Sequence, residues 1–290
     1  MSLPLLAASD FNPVSEFTDF INNPYVNLPL GLDINKAVIY IWMSGALAIV
    51  LTLLVSRRGL KVRPDRTQTV AEAIYDVAYS QIAKAGLPED GMRIWFPYVA
   101  SLFMFIWMMN LIGFIPLPFG SERVDVFGLH LPKLQIYAAT ANLSVTLTLT
   151  LVTIVASHAE GVRHNGPIRY LRSWMPSGLP SALPLRPVSP LVAILIVLIG
   201  VIEVVSQFVR IISLSFRLFF NLLAGHLVIA VFLAMGALIG GVAFYFIQPI
   251  GLIMGVALFT LEATLIAALQ AFIFASLSAI YIGGAIHPDH

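Results

Sequence analysis

The 290-residue chain is 59% hydrophobic and 11% charged, carries a net charge of +1 and has no cysteine. Soluble domains run about 45–50% apolar and about 25% charged, so 16 basic and 15 acidic residues are too few to cover a water-facing surface. The same figures exclude intrinsic disorder, a basic field for nucleic acid, and disulfide, thiol or cysteine-metal chemistry; the class that remains is a polytopic membrane protein.

A membrane-crossing helix needs about 20 apolar residues. The N-terminal 35 residues carry Asp10, Glu16, Asp19 and Asp33 but no Lys or Arg, so they lack the basic region of a signal peptide and are not a transit peptide. Uncharged runs follow at Ala37–Ser56 (20 residues), Ile94–Ser121 (28), Leu134–Ala159 (26), Leu218–Leu261 (44) and Ala263–Pro288 (26), with a shorter run at Pro187–Ile202 (16). About five spans fit. The predicted organisation is an outer segment at 1–36, a first span at 37–56 and an inner loop with an amphipathic helix at 57–93. A membrane hairpin at 94–159, a basic Pro-rich inner loop at 160–189 and a long tilted helix hairpin at 190–285 complete it. The expected fold class is all-α, with the last two helices long and strongly tilted. As a straight helix, the stretch from Pro190 to Met235 would measure about 69 Å against a hydrocarbon core of about 30 Å. It must therefore be tilted, broken or partly outside the bilayer.

Local signals refine this frame. Thr69-Val-Ala-Glu72 reads as a capping box, followed by Val70, Ile74, Val77 and Ile82 near helical spacing; that helix lies on the membrane surface or packs on its own protein. Leu143–Leu151 alternates with period two like a strand, but an open strand in lipid leaves backbone groups unpaired. Threonines in a membrane helix bond back to their own backbone, so a helix is expected there. Gly236, Gly240 and Gly241 mark the turn between the long helices. His158 and His164 read as solvated side chains of a basic loop, and no metal site is expected. The loop Arg57–Arg93 holds seven of the sixteen basic residues and His158–Arg186 four more. The positive-inside rule puts both loops inside, with the N-terminus outside and, after five crossings, the C-terminus inside.

The chemistry concentrates in Val201–His226. Glu203, Arg210, Arg217 and His226 stand there in the most apolar third of the chain, and Glu262 lies in the following span. A central Arg costs at least about 2.5–3.5 kcal/mol on insertion scales, so such residues are functional candidates. At 100° per residue, Glu203, Ser206, Arg210, Ser213, Arg217 and Asn221 form one polar stripe; His226 lies about 180° from Arg217. The structural alternatives are an ion pair between Glu203 and Arg210, backbone bonding by Ser206 and Ser213, and a satisfied interior His226. Arg217 has no acid at i±3 or i±4 and stays protonated when buried, so another helix or subunit must bring one.

These residues resemble subunit a of F-type ATP synthases. The resemblance rests on Ser213-Leu-Ser-Phe-Arg-Leu-Phe-Phe-Asn-Leu-Leu-Ala-Gly-His226, preceded by Ile202-Glu-Val-Val-Ser-Gln-Phe-Val-Arg210. Asn110-Leu-Ile-Gly-Phe-Ile-Pro116, Thr140-Ala-Asn-Leu-Ser-Val-Thr146 and Gln270-Ala-Phe-Ile-Phe274 match in family order across residues 100–282. The resemblance implies a proton-conducting stator beside a ring of c subunits, held in a lipid bilayer with b-type peripheral-stalk subunits, without cofactor or nucleic acid. A bacterial plasma membrane is expected, with the mitochondrial inner membrane as the alternative. Arg217 matches the family's essential arginine, which separates two aqueous half-channels and faces the ring carboxylate. Ser213, Asn221 and Gln270 match polar positions near it, and Glu203 and His226 match proton-pathway positions. Asn110, Asn142, Ser206 and Arg210 are auxiliary polar residues.

Two departures stand out. Phe220 occupies a position where relatives usually carry Gly. Glu262 is a candidate relay acid but stands eight residues before Gln270, where relatives place an acid seven before. One residue is about 100° of rotation, so a relay role requires a local bulge. Two other classes compete. A self-contained transporter or channel should carry its own acid for Arg217 and often a repeat, and neither is seen. A scaffold leaves Arg217 unexplained. Nucleotide and metal motifs of soluble-type enzymes are missing.

Overall fold

The structure is a computed structural model that describes residues 35–57, 61–117, 123–126, 129–132, 138–173, 190–239 and 243–288. The acidic N-terminal segment, the Pro-rich stretch at 174–189 and Gly240 and Gly241 lie outside the described residues. Five helices are long and apolar enough to cross a membrane, and the all-helical class holds. The elements are α1 (Lys36–Arg57), α2 (Arg66–Asp76), a π-helix (Val77–Ala83), α3 (Lys84–Gly86) and α4 (Glu89–Gly113). A short hairpin follows, β1 (Arg123–Val126) with β2 (Leu129–Pro132), then a 3₁₀ turn (Ala139–Ala141) and α5 (Leu143–Asn165). The chain continues through α6 (Pro167–Ser173), α7 (Pro190–Ile239), α8 (Ala243–Leu261), a second π-helix (Glu262–Ile266) and α9 (Ala267–Ile286). The antiparallel hairpin, pairing Arg123 with Pro132, is an addition that the spans did not announce.

The described residues pack as two units. The first comprises those of Met1–Val50, Phe105–Asn142 and Phe219–Gln270. Here α1 buries one stripe, Lys36, Ala37, Tyr40 and Ser44, while Trp42 and Ile49 stay exposed. Exposed apolar residues along a membrane span face lipid or a partner, so they need no core of their own. Met109, Leu222 and Ile229 belong to this unit's core. Asn110 is fully buried and satisfied: its Nδ2 donates to the Ala267 carbonyl at 3.1 Å, and its Oδ1 accepts from the Thr140 hydroxyl at 2.8 Å.

The second unit comprises the described residues of Leu51–Met104, Leu143–Leu218 and Ala271–His290. The threonines of α5 behave as helix residues. The hydroxyls of Thr146, Thr148, Thr150 and Thr153 donate to the carbonyls of Leu143, Ser144, Thr146 and Leu149, which removes the cost of burying Thr146, Thr150 and Thr153. Asn165 ends α5, and its Nδ2 caps the Ala285 and Ile286 carbonyls at the end of α9, both at 3.0 Å. Gly166, with φ of 78°, occupies the left-handed position that closes α5, its N–H bonding to the Val162 carbonyl. Pro167 then opens α6, where its missing N–H costs nothing.

Several local expectations are corrected. The capping box fails: α2 starts at Arg66 after Asp65, and Thr69 is already inside the helix, bonding back to the Asp65 carbonyl. The Gln68 side chain braces Lys61 through both its backbone N–H and its carbonyl, so the start shifts upstream. The π-helix then turns the face, and Ala78, Ile82 and Ala83 are buried while Val70 and Val77 remain exposed. Gly236 lies inside α7 rather than in a turn. His158 and His164 belong to α5, and α6 occupies part of the stretch expected to be irregular. The segment expected to be tilted, broken or partly outside the bilayer is one unbroken 50-residue helix, α7, about 75 Å long at 1.5 Å per residue, so of the three only the break is excluded.

Candidate functional site

The α7 stripe keeps one azimuth, because Glu203 to Asn221 spans about five whole turns. Its surroundings change along the way. Glu203, Ser206 and Arg210 are half-buried, Ser213 and Arg217 are exposed, and Asn221 is half-buried. The Glu203–Arg210 ion pair does not form among the described residues. Glu203 Oε1 instead accepts from Gln207 Nε2 at 3.1 Å, and the Arg210 guanidinium lies 5.4 Å from the centre of the Tyr281 ring.

Glu203, Gln207 and Arg210 line a cavity of about 310 Å³ with His158, Tyr170 and Tyr281. Its volume admits several waters. The cavity sits at the ends of α5 and α9, beside the basic stretch carrying Arg163 and Arg169. His158 Nδ1 is 2.7 Å from the Tyr170 hydroxyl. Sequence reasoning missed Tyr281 and Tyr170, which no local spacing links to Glu203; Gln207, one turn after Glu203, was legible.

The other constellation belongs to the first unit. His226 is 7% exposed and Glu262 is 2% exposed, and His226 Nδ1 lies 3.7 Å from Glu262 Oε1. That is a charge-pair distance, too long for a hydrogen bond. Nδ1 donates to the Leu222 carbonyl at 2.8 Å, which assigns the proton to Nδ1 and leaves the lone pair on Nε2. Neither His226 Nε2 nor Glu262 Oε1 has a hydrogen-bond partner among the described residues. The imidazole stacks on Phe114, with ring centres 5.1 Å apart and planes 15° apart, and Phe114 meets Phe259 edge to face. Glu262 fits because residue 225 is glycine: a Cβ there would overlap the Glu262 carboxyl.

Glu262 opens the second π-helix. A π segment takes up one extra residue in the helical path. The eight-residue spacing to Gln270 therefore regains the rotation of a seven-residue α-helical spacing, and Gln270, like Glu262, is buried. Asn110 acts as the clamp described above, bonding to the first residue of α9. Asn142 is an extended residue between the 3₁₀ turn and α5.

Arg217 stands apart. It is exposed and forms no ion pair or hydrogen bond among the described residues. On the same helix Val209, Phe216 and Phe220 are exposed and stand within about 100° of it, so the cation has apolar neighbours on its own side of the helix.

Comparison with known proteins identifies the family. The family model described as ATP synthase A chain matches residues 38–283. ATP synthase subunit a of Rubrobacter xylanophilus is 32% identical over 256 residues, 87% of this chain and 84% of that protein. The Parvibaculum lavamentivorans subunit a is 33% identical over 282 residues, covering 96% and 95%, and that of Xanthobacter autotrophicus is 36% identical over 254 residues, covering 86% and 88%. With five membrane-length helices and this family match over most of its length, the chain belongs to the ATP synthase subunit a family, the proton-transporting transmembrane subunits of the F-type ATP synthase membrane sector.

Proposed function

We propose that Arg217 is the fixed central charge of two offset aqueous half-channels, and that a ring of c subunits covers its face of α7. The carrying observation is an exposed guanidinium on a membrane-spanning helix with no acid beside it among the described residues. Burying that charge in lipid is costly. A carboxylate on a neighbouring subunit offsets the cost, whereas a self-contained transporter would supply its own acid. A cation beside the ring carboxylate lowers its pKa and apolar surroundings raise it. Protons therefore leave near Arg217 and are held where the carboxylate faces lipid. Each charge that crosses the membrane yields about 2.3 kcal/mol per 100 mV, which drives the ring and, through it, ATP synthesis.

The two constellations take the two half-channels. His226 and Glu262 pack with Phe114, at the end of α4 that leads into the weakly charged loop. The Glu203 cavity adjoins the basic loops. By the positive-inside rule, His226–Glu262 serves the outer side and Glu203 the inner side. Support for a relay at the first pair is chemical: among the described residues His226 Nε2 and Glu262 Oε1 are buried without hydrogen-bond partners, and the same imidazole comes within 3.7 Å of that carboxyl through Nδ1, which leaves acceptors for a hydrated proton path. Ser213, Asn221 and Gln270 are assigned to the path beside Arg217, and b-type peripheral-stalk subunits to holding the chain still. The membrane is assigned as a bacterial plasma membrane, N-terminus outside and C-terminus inside.

ATP-driven acidification of membrane vesicles carrying Arg217→Ala tests this, with assembly of the complex checked alongside. The expected result is an assembled complex without pumping. Pumping near the wild-type rate from that assembled complex overturns the role given to Arg217.

A further inference from the structure

Asp90, His164 and His287 come from three different helix ends, the start of α4, the end of α5 and the residue after α9, and one ligand atom of each lies within 4.8 Å of the others. We propose that these three side chains form a binding site for a divalent transition-metal ion, zinc being the best match.

The geometry suits coordination as well as a hydrogen-bonded tie. His287 Nε2 is 3.1 Å from both Asp90 oxygens, a distance that a hydrogen bond accounts for. His164 Nε2 is 3.7 Å from Asp90 Oδ2, too long for a hydrogen bond but close to an oxygen that His287 also approaches. Ligands on a tetrahedral zinc at about 2.0–2.1 Å stand roughly 3.3 Å from one another. The two measured separations bracket that value. The imidazole rings are 5.6 Å apart and steeply inclined, at 79°, so they converge from different directions rather than stack. Two imidazoles and a carboxylate leave a fourth position for water, and exposure of all three residues gives an ion access. Imidazole with carboxylate favours zinc over calcium or magnesium, which prefer oxygen-only shells.

The backbone holds the ligands in place. Asn165, next to His164, bonds to the carbonyls of Ala285 and Ile286, next to His287. The Gly91 N–H donates to Asp90 Oδ1 at 3.1 Å, orienting the carboxylate from behind, as outer partners do in metal sites. His287 also borders the cavity that holds Glu203 and Arg210, so an ion here sits at that cavity's edge.

The test is equilibrium dialysis of the purified intact complex against Zn²⁺, with Co²⁺ absorption as a second readout, in wild type, His164→Gln and His287→Ala. The expected result is one Zn²⁺ per copy of this chain in wild type, weakened at least about tenfold in each variant, with Co²⁺ bands lost in parallel. Equal zinc content and affinity in wild type and both variants overturns the site. Loss in His287→Ala alone also overturns it, because His164 is then no ligand. Should His287→Ala not assemble, His164→Gln decides alone, since His164 forms no hydrogen bond to Asp90 and is partly exposed.

Discussion

Around Glu262 the protein closes every side, whereas around Glu203 it leaves a cavity of about 310 Å³. The first acid packs on Gly225, His226 and, through the imidazole, Phe114. The second bonds to a neighbour on its own helix and shares its space with Arg210, His158 and Tyr281. One region therefore holds polar atoms that have no partner among the described residues, and the other offers its polar atoms to water. A buried carboxyl without a donor is costly, so the fold spends stability at Glu262 and little at Glu203. Strain of that kind concentrates at functional sites.

The contrast yields ordered expectations. Glu262→Gln should lower ATP-driven proton pumping by about 10²-fold, the low end for loss of a positioned acid–base group. Glu203→Gln, in a cavity where water substitutes, should lower it by less than about tenfold. Equal losses in vesicle acidification break the distinction. Asn110→Ala removes two buried hydrogen bonds and orphans the Thr140 hydroxyl, and should destabilise by about 2–3 kcal/mol. Gln207→Ala loses one half-buried bond and should cost about 0.5–1 kcal/mol; thermal unfolding of the solubilised complex orders the two.

Two glycines on α7 sharpen the comparison further. Gly225→Ala drives a methyl into the Glu262 carboxyl and should cost about 1–3 kcal/mol. Gly200→Ala meets nothing within 4 Å among the described residues and should be neutral or add up to about 0.5–1 kcal/mol through helix propensity. A destabilised Gly200→Ala in the same unfolding assay contradicts the open environment there. The gentlest probe exploits the absence of cysteine from the chain. Ser206→Cys should react with a membrane-impermeant maleimide a few-fold faster from the inner side than from the outer side. The reverse order exchanges the two half-channel assignments.

Much of the fold was legible because lipid imposes a simple rule. Backbone groups in hydrocarbon must bond within a helix or a closed barrel, so long uncharged runs translate directly into spans. The same rule decided Leu143–Leu151 in favour of a helix against its own alternation, and the threonine back-bonds show how. The capping box failed because Gln68 engages Lys61 and moves the helix start, a contact that only the folded loop defines. The face of α2 was misplaced because a π segment turns it.

At the candidate site the division is similar. Composition and charge determined a membrane protein, and helical spacing determined that Glu203, Arg210, Arg217 and Asn221 share one azimuth with His226 opposite. Those properties are local: they follow from residue type and about 100° per residue. The tertiary structure alone decided which neighbour meets each residue. It put Tyr281 under Arg210 in place of Glu203, brought Glu262 to His226 and gathered Asp90, His164 and His287 from three helix ends. It also decided the register of Glu262 against Gln270, through a π-helix that supplies the bulge the eight-residue spacing required. Partners far apart in sequence meet only because whole helices pack, and packing depends on the combined shape of every face rather than on any one segment.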